Sequence, residues 1–354
     1  MNKAYLVLEN GMVFEGFAMG AEGATIGELV FNTGVCGYTD TLTNSSNAGQ
    51  IVMQTFPLIG NYGLISSDFQ GECALNGYVV REWCAIPSNF RAEKDLDTFL
   101  KEKGVVGIYG VDTRQITKVL REEGSMNAMI CKKVPEDLSA VKEYRIVGAV
   151  AEVSCTEPEV YQPKGKVVSR VVMIDYGTRK SFVDELVSRG CQVTVVPQDT
   201  TAEVILQMNP NGVILSNGPA DPKENEFCIA QIRKLFGKLP IFGIGLGHQM
   251  LALAAGGDTS KMGHGHRGAN QPVKSVQDGR TYITIQNHGY VVDEKSLEGV
   301  ASVSYCNAND NTCEGLDYPG KKAFSVQFYP ESFSGPRHTG FLFDRFITMM
   351  GGAL

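Results

Sequence analysis

Hydrophobic spacing changes character near the middle of this chain. Before residue 150, short apolar runs broken by glycine and polar clusters predominate. Runs at 5–8 and 12–14 flank Asn10-Gly11, a strong hairpin signal, and 29–32, 50–54 and 78–80 read as further strands. Helical spacing fits 96–103 and 113–123, closed by Gly104 and Gly124, which suit a left-handed cap. A β-rich α+β N-terminal domain is therefore expected over 1–152. The stretch 153–168, with Pro158, Pro163, Gly165 and several charges, reads as a linker.

From 169 onward, apolar runs at 171–175, 192–196, 212–215 and 239–244 alternate with helical patterns at 179–189, 202–208, 224–236 and 247–255. Such alternation predicts an α/β domain over 169–354, with a mainly parallel sheet covered on both faces. Strands at 282–285, 301–305 and 323–328 follow, then a closing helix at 340–350. Ligands of such sheets bind beyond the carboxyl ends of the strands. That rim carries Asp175-Tyr176-Gly177, Ser216-Asn217-Gly218-Pro219 and the turn Gly243-Ile244-Gly245-Leu246-Gly247. A sharp strand-to-helix turn of this kind lifts one side chain over a site while helix-start N–H groups face the substrate. At its apex stands Gly245, which has no side chain to lift.

Composition narrows the classes. Net charge −7 and a pI near 5.4 argue against nucleic acid or an anionic membrane as partner. The N-terminal apolar run is too short for a signal peptide, and no window reaches the roughly 18 apolar residues of a membrane span. Nine scattered cysteines without a C-x-x-C pair suit reduced thiols, so a cytoplasmic protein is expected. The spacing G-x-G-x-G is not that of a dinucleotide loop. His264 and His266, in the glycine-rich stretch 261–267, lack a neighbouring carboxylate; this stretch reads as a loop and no metal is expected. His248 and His288 read as structural hydrogen-bonders, and Cys306 and Cys313 as buried, inert thiols.

Gly243-x-Gly245-x-Gly247-His248-Gln249, Ser216-Asn217-Gly218-Pro219 and Pro330-Glu331 resemble the signatures of class I glutamine amidotransferase domains. The runs 27–34, 56–63, 110–114 and 286–290 resemble the small subunit of carbamoyl phosphate synthetase, in order and over nearly the whole chain. The resemblance implies glutamine hydrolysis, with ammonia passed to a large subunit. On this chain it implies no cofactor, since ATP, bicarbonate and metal would belong to the large subunit.

Carried over residue by residue, the family's cysteine nucleophile falls on Gly245, its histidine on Tyr329 and its glutamate on Glu331. The oxyanion donors fall on the N–H groups of Gly218 and Leu246. L-glutamine contacts fall on Ser46, Gly218, Ala220, Leu246, Gln249, Asn287, Gly289 and Tyr290, where Ala220 replaces glycine and Tyr290 replaces phenylalanine. The carboxylate of Glu331, without an imidazole to orient, is expected to bond Tyr329, water or backbone. Acyl transfer from a carboxamide needs a nucleophile and a base. Glycine supplies neither, and tyrosine, with an ordinary pKa of about 10, cannot stand in for imidazole. A small subunit that scaffolds or senses glutamine without hydrolysing it is therefore expected. The rival is an active glutaminase with an unrecognised nucleophile.

Overall fold

The structure is a computed structural model describing residues 2–331 and 338–352. The chain forms two compact units, one of residues 1–149 with 263–268, the other of 150–262 with 269–354.

In the first unit, β1 (Lys3–Leu8), β2 (Val13–Gly20), β3 (Thr25–Asn32), β4 (Gln50–Gln54), β6 (Gly77–Val80), β8 (Val106–Tyr109) and β9 (Met126–Cys131) close a barrel in the order β1-β2-β8-β6-β4-β3-β9. A small pair, β5 (Leu58–Ile59) and β7 (Glu82–Trp83), lies apart from that barrel sheet. The helices are α1 (Tyr38–Leu42), α2 (Leu96–Glu102), α3 (Thr113–Glu123) and α4 (Ser139–Glu143), with α5 (Ala149–Val153) crossing into the second unit. Asn10-Gly11 makes the expected turn, with Gly11 at φ 90° and Val7 opposite Val13. Asp95 and Asp112 cap α2 and α3 by accepting from the Thr98 and Gln115 N–H groups. Gly104 and Gly124 follow with φ of 70° and 93°.

The second unit is an α/β layer built on β10 (Glu159–Tyr161), β11 (Ser169–Asp175), β12 (Cys191–Pro197), β13 (Gly212–Leu215), β14 (Ile241–Ile244), β15 (Asp258–Ser275), β16 (Thr281–Asp293), β17 (Ser302–Asn307), β18 (Cys313–Tyr318) and β19 (Ala323–Val326). They form one ten-stranded sheet, order β10-β12-β11-β13-β14-β19-β18-β17-β15-β16. The run β12-β11-β13-β14-β19 is parallel throughout, and β10 and β18 join its two edges antiparallel. On one face Val172, Ile174, Val213 and Leu215 pack with α7 (Ala202–Gln207), α8 (Glu226–Leu235) and α9 (Leu246–Ala254). On the other, Val171, Met173, Ile214 and Phe242 pack with α6 (Lys180–Ser188) and α10 (Phe341–Met349). Burial on both faces is why these strands read as unbroken apolar runs. Among the described residues no helix is long and apolar enough to cross a membrane.

Two stretches differ from expectation. Residues 159–161, within the supposed linker, form β10 and pair with β12, because an edge strand is extended backbone and tolerates the polar, proline-flanked sequence around it. The stretch 261–267 is not a loop; it runs inside β15. Gly263 and Arg267 there accept from the Ser125 and Thr33 N–H groups at 2.7 and 3.1 Å, so extended backbone is hydrogen-bonded where composition suggested a turn.

Candidate functional site

Adjacent strands β11, β13, β14 and β19 end at one rim, and the chain leaving each supplies part of the site. Beyond β11, Asp175 organises the turn: its Oδ1 accepts from the Gly177 and Thr178 N–H groups at 2.9 and 2.7 Å, and its Oδ2 accepts from Cys155 N–H at 2.7 Å. That turn presents Arg179 at the start of α6. Beyond β13, the Tyr176 N–H donates to Ser216 Oγ at 2.9 Å, tying the two rim loops together.

Beyond β14 the chain reverses through Gly245 at φ 59°, ψ −115° and enters α9 directly. The Gly245 N–H donates to Val326 O at 3.0 Å, anchoring the turn on β19. Gly247 allows α9 to lie against β13, since a β-carbon there would sit 2.2 Å from Leu215 O. A β-carbon at 245 would lie 3.2 Å from Asn217 Cβ and 3.5 Å from Tyr329 Cε1. The apex thus faces the Tyr329 ring.

Tyr329 is buried, its N–H donating to Ile285 O at 2.9 Å and its ring meeting the edge of Phe182. Two residues on, the Glu331 side chain is 1% exposed, and the sequence expectation for its partners needs correction. Its Oε1 accepts from Arg179 Nε at 2.8 Å and from Ser181 Oγ at 3.1 Å. The Arg179 guanidinium carbon also stands 4.7 Å from the Tyr329 ring centroid. A buried carboxylate draws a cation because an unpaired charge there is costly. Arg179 escaped the sequence reading, although a basic residue following a rim turn was the available signal.

The N–H groups of Gly218 and Leu246 have no hydrogen-bond acceptor among the described residues. Leu246 opens α9, where N–H groups lack intrahelical partners. Ala220 has φ 67°, a conformation that favours glycine. Gln249 Nε2 donates to Tyr290 O at 2.8 Å and to Gln327 Oε1 at 2.9 Å, and the His288 Nδ1–H donates to the same Tyr290 carbonyl at 2.7 Å. Asn287, Gly289 and Tyr290 lie close together in sequence, half-buried, on β16, with buried His288 between the first two. Ser46 belongs to the first unit, buried in a short 3₁₀ turn where Asn44 Oδ1 accepts its N–H at 3.1 Å.

Three other histidines and three thiols lie as follows. His248, fully buried, meets Ser325 Oγ at 2.8 Å through Nδ1, and burial pushes its pKa down to about 3. His264 stacks on Phe31 within the first unit, and His338 is exposed. Burial pushes the Cys313 thiol up to about 12 and raises that of Cys306; Cys155 also rises to about 12, from burial and then the charge of Asp175. Raised thiols carry little thiolate and are weak nucleophiles at neutral pH.

A parallel core with a glycine-apex turn at the rim and an α-helix starting directly behind it defines the class: residues 172–349 match the class-I glutamine amidotransferase family. Residues 6–130 match the carbamoyl-phosphate synthase small chain, CPSase domain. The chain is 48% identical over 358 residues to the carbamoyl phosphate synthase small chain of Listeria monocytogenes serotype 4b (strain F2365), covering 99% of this chain and 98% of that one. It is 45% identical over 367 residues to that of Syntrophotalea carbinolica, covering 98% of each, and 43% identical over 356 residues to that of Oceanobacillus iheyensis, covering 99% and 96%. The chain belongs to the carbamoyl phosphate synthase small chain family.

Proposed function

We propose that this chain is a carbamoyl phosphate synthase small subunit that binds L-glutamine without hydrolysing it and partners a large subunit fed by free ammonia. In this reading Gly245 occupies the nucleophile position and Tyr329 the base position, while ATP, bicarbonate and metal are handled by the partner. The observation that carries it is the apex: the turn sits at φ 59°, ψ −115°, where a β-carbon would be strained, with no side chain on it and a tyrosine ring opposite. Loss of one member of a nucleophile–base unit costs on the order of 10⁶ in turnover, and loss of the second adds little. An oxyanion hole alone retains roughly 10³–10⁴ over water.

Binding is supported by the parts of the pocket that persist. Among the described residues the Gly218 and Leu246 N–H groups have no acceptor, and Gln249 and His288 both brace the Tyr290 carbonyl. The left-handed backbone at 220 is kept even though alanine pays for it in strain. Against the rival glutaminase stand the thiols of Cys155, Cys306 and Cys313, all raised by burial.

Titration calorimetry of the purified chain with L-glutamine, alongside an ammonia assay, tests this. Heat of binding with no ammonia release is the expected result. No binding reduces the chain to a scaffold, and ammonia release overturns the proposal.

A further inference from the structure

We propose that Cys306 and Cys313 form a reversible thiol–disulfide site, oxidised by a low-molecular-weight disulfide. The two residues stand directly opposite each other on the antiparallel strands β17 and β18, and both are free thiols in this structure. The Asn307 N–H donates to Thr312 O at 2.9 Å. Cys306 and Cys313 are therefore the next pair inward, of the kind whose own backbone groups do not bond across. Such pairs bring their α-carbons to about 4.5 Å and their side chains onto one face. A disulfide needs α-carbons about 4.4–6.8 Å apart. Strand pairing thus supplies the separation that the bond requires.

The hairpin that carries the two thiols is held in place. Its connection is fixed by Ala308 N–H donating to Pro272 O at 2.8 Å and Asn311 N–H to Asn307 O at 3.0 Å. Thr312 donates to Asp310 Oδ1 through its N–H and its hydroxyl, at 3.1 and 2.8 Å. Asn307 Nδ2 reaches across the strands to Glu314 Oε1 at 3.2 Å, one residue along from each cysteine. A bulge interrupts the register at Tyr305, but these bonds fix the pairing on its other side. Both thiols also sense the same two carboxylates, Glu314 and Glu294 of the turn Glu294–Leu297. The other strand cysteines, Cys131 and Cys191, stand opposite Tyr5 and Ser169 and have no such partner in register.

Cys306 is half-buried and Cys313 buried, so the first attack falls to Cys306. Its thiolate bonds to one sulfur of the oxidant, and a small thiolate leaves. The Cys313 thiol gives its proton to solvent, and its sulfur displaces the second small thiolate, closing the Cys306–Cys313 bond. Two protein thiols are oxidised, and the small disulfide is reduced to two thiols. Burial, then Glu294 and Glu314, raise the Cys306 thiol, opposed by the Lys274 ammonium. Attack is therefore slow at neutral pH and quickens as pH rises. Ring closure draws on placement rather than on acidity.

The test incubates the wild-type chain with glutathione disulfide, blocks free thiols with N-ethylmaleimide, and analyses a non-reduced tryptic digest by mass spectrometry. Both cysteines lie in the tryptic peptide 296–321. That peptide is expected unblocked and lighter by two hydrogens, and dithiothreitol should restore its mass. It should form about tenfold faster at pH 8.5 than at pH 7.5, and exceed every other cysteine–cysteine link at least about tenfold. Cys313→Ala should stop at a glutathione adduct on Cys306, and Cys306→Ser should leave Cys313 unmodified. Absence of the closed peptide from the wild type at pH 8.5 overturns the proposal, whether both thiols stay free or Cys306 stops at the adduct. Equal rates at the two pH values would overturn the thiolate route, and an adduct on Cys313 in Cys306→Ser would overturn the order of attack.

Discussion

Gly245 sits at φ 59°, ψ −115°, where a residue bearing a β-carbon carries about 1–3 kcal/mol of backbone strain. An added β-carbon would also press on Asn217 at 3.2 Å. Gly245→Cys is therefore expected to lower stability by about that amount in chemical denaturation, and a stabilised variant would show that the turn is unstrained. Ala220 is the mirror case. It keeps a β-carbon at φ 67°, so Ala220→Gly should raise stability, the relief of about 1–2 kcal/mol being partly offset by the greater freedom of glycine in the unfolded chain. A thermal melt of that variant at or below the wild type would contradict this. The buried Arg179–Glu331 pair shows how little a position reveals without its neighbours: the sequence singled out Glu331 as a candidate site residue, but its partner lies 152 residues away.

At the level of elements, α9 decides both the site and an acid sensitivity. Its residues from Leu246 to Ala252 are all buried, as its unbroken apolar pattern predicts, and this forces His248 to remain neutral in the core. Its pKa falls from 6.5 to about 3 on folding, so the unfolded chain binds the extra proton. The stabilisation from keeping it neutral is complete above about pH 6.5 and is lost as pH falls toward 3, with a slope approaching about 1.4 kcal/mol per pH unit. His248→Asn should remove that component, and equilibrium unfolding between pH 4 and 7 should be flatter for the variant; parallel curves would mean the ring is not held neutral. β18 marks the opposite limit of pattern reading. Glu314 within it is wholly buried, accepting from Asn307 Nδ2 at 3.2 Å, and this buried polar residue hid the strand from an apolar count.

For the whole molecule, the α/β class of the second unit followed from alternation of strand and helix patterns, and the rim of its parallel core gathers the candidate site residues of that unit. Closure of the first unit's strands into a barrel was not visible, because the pairing of β3 with both β4 and β9 joins residues about 20 and 100 apart and no local period encodes it. The function proposed here belongs to this scale. Combined with a carbamoyl phosphate synthase large subunit, the wild-type chain is expected to support carbamoyl phosphate formation from ammonium, with the glutamine-dependent rate lower by at least about 10³. Comparable rates from glutamine and ammonium would refute it.

The chain's own order of residues determined which side chains are present at 245, 329 and 331, and hence which functional groups those positions offer, because reactivity is a property of atoms. It also determined where most strands and helices fall, because burial on one or two faces leaves a periodic trace. Tertiary structure alone decided that the empty apex faces the Tyr329 ring, that residues 263–268 pack with the first unit, and that Arg179 closes on Glu331. These depend on the order of strands in a sheet and on the cost of burying an unpaired charge, and neither is written in the spacing of neighbouring residues.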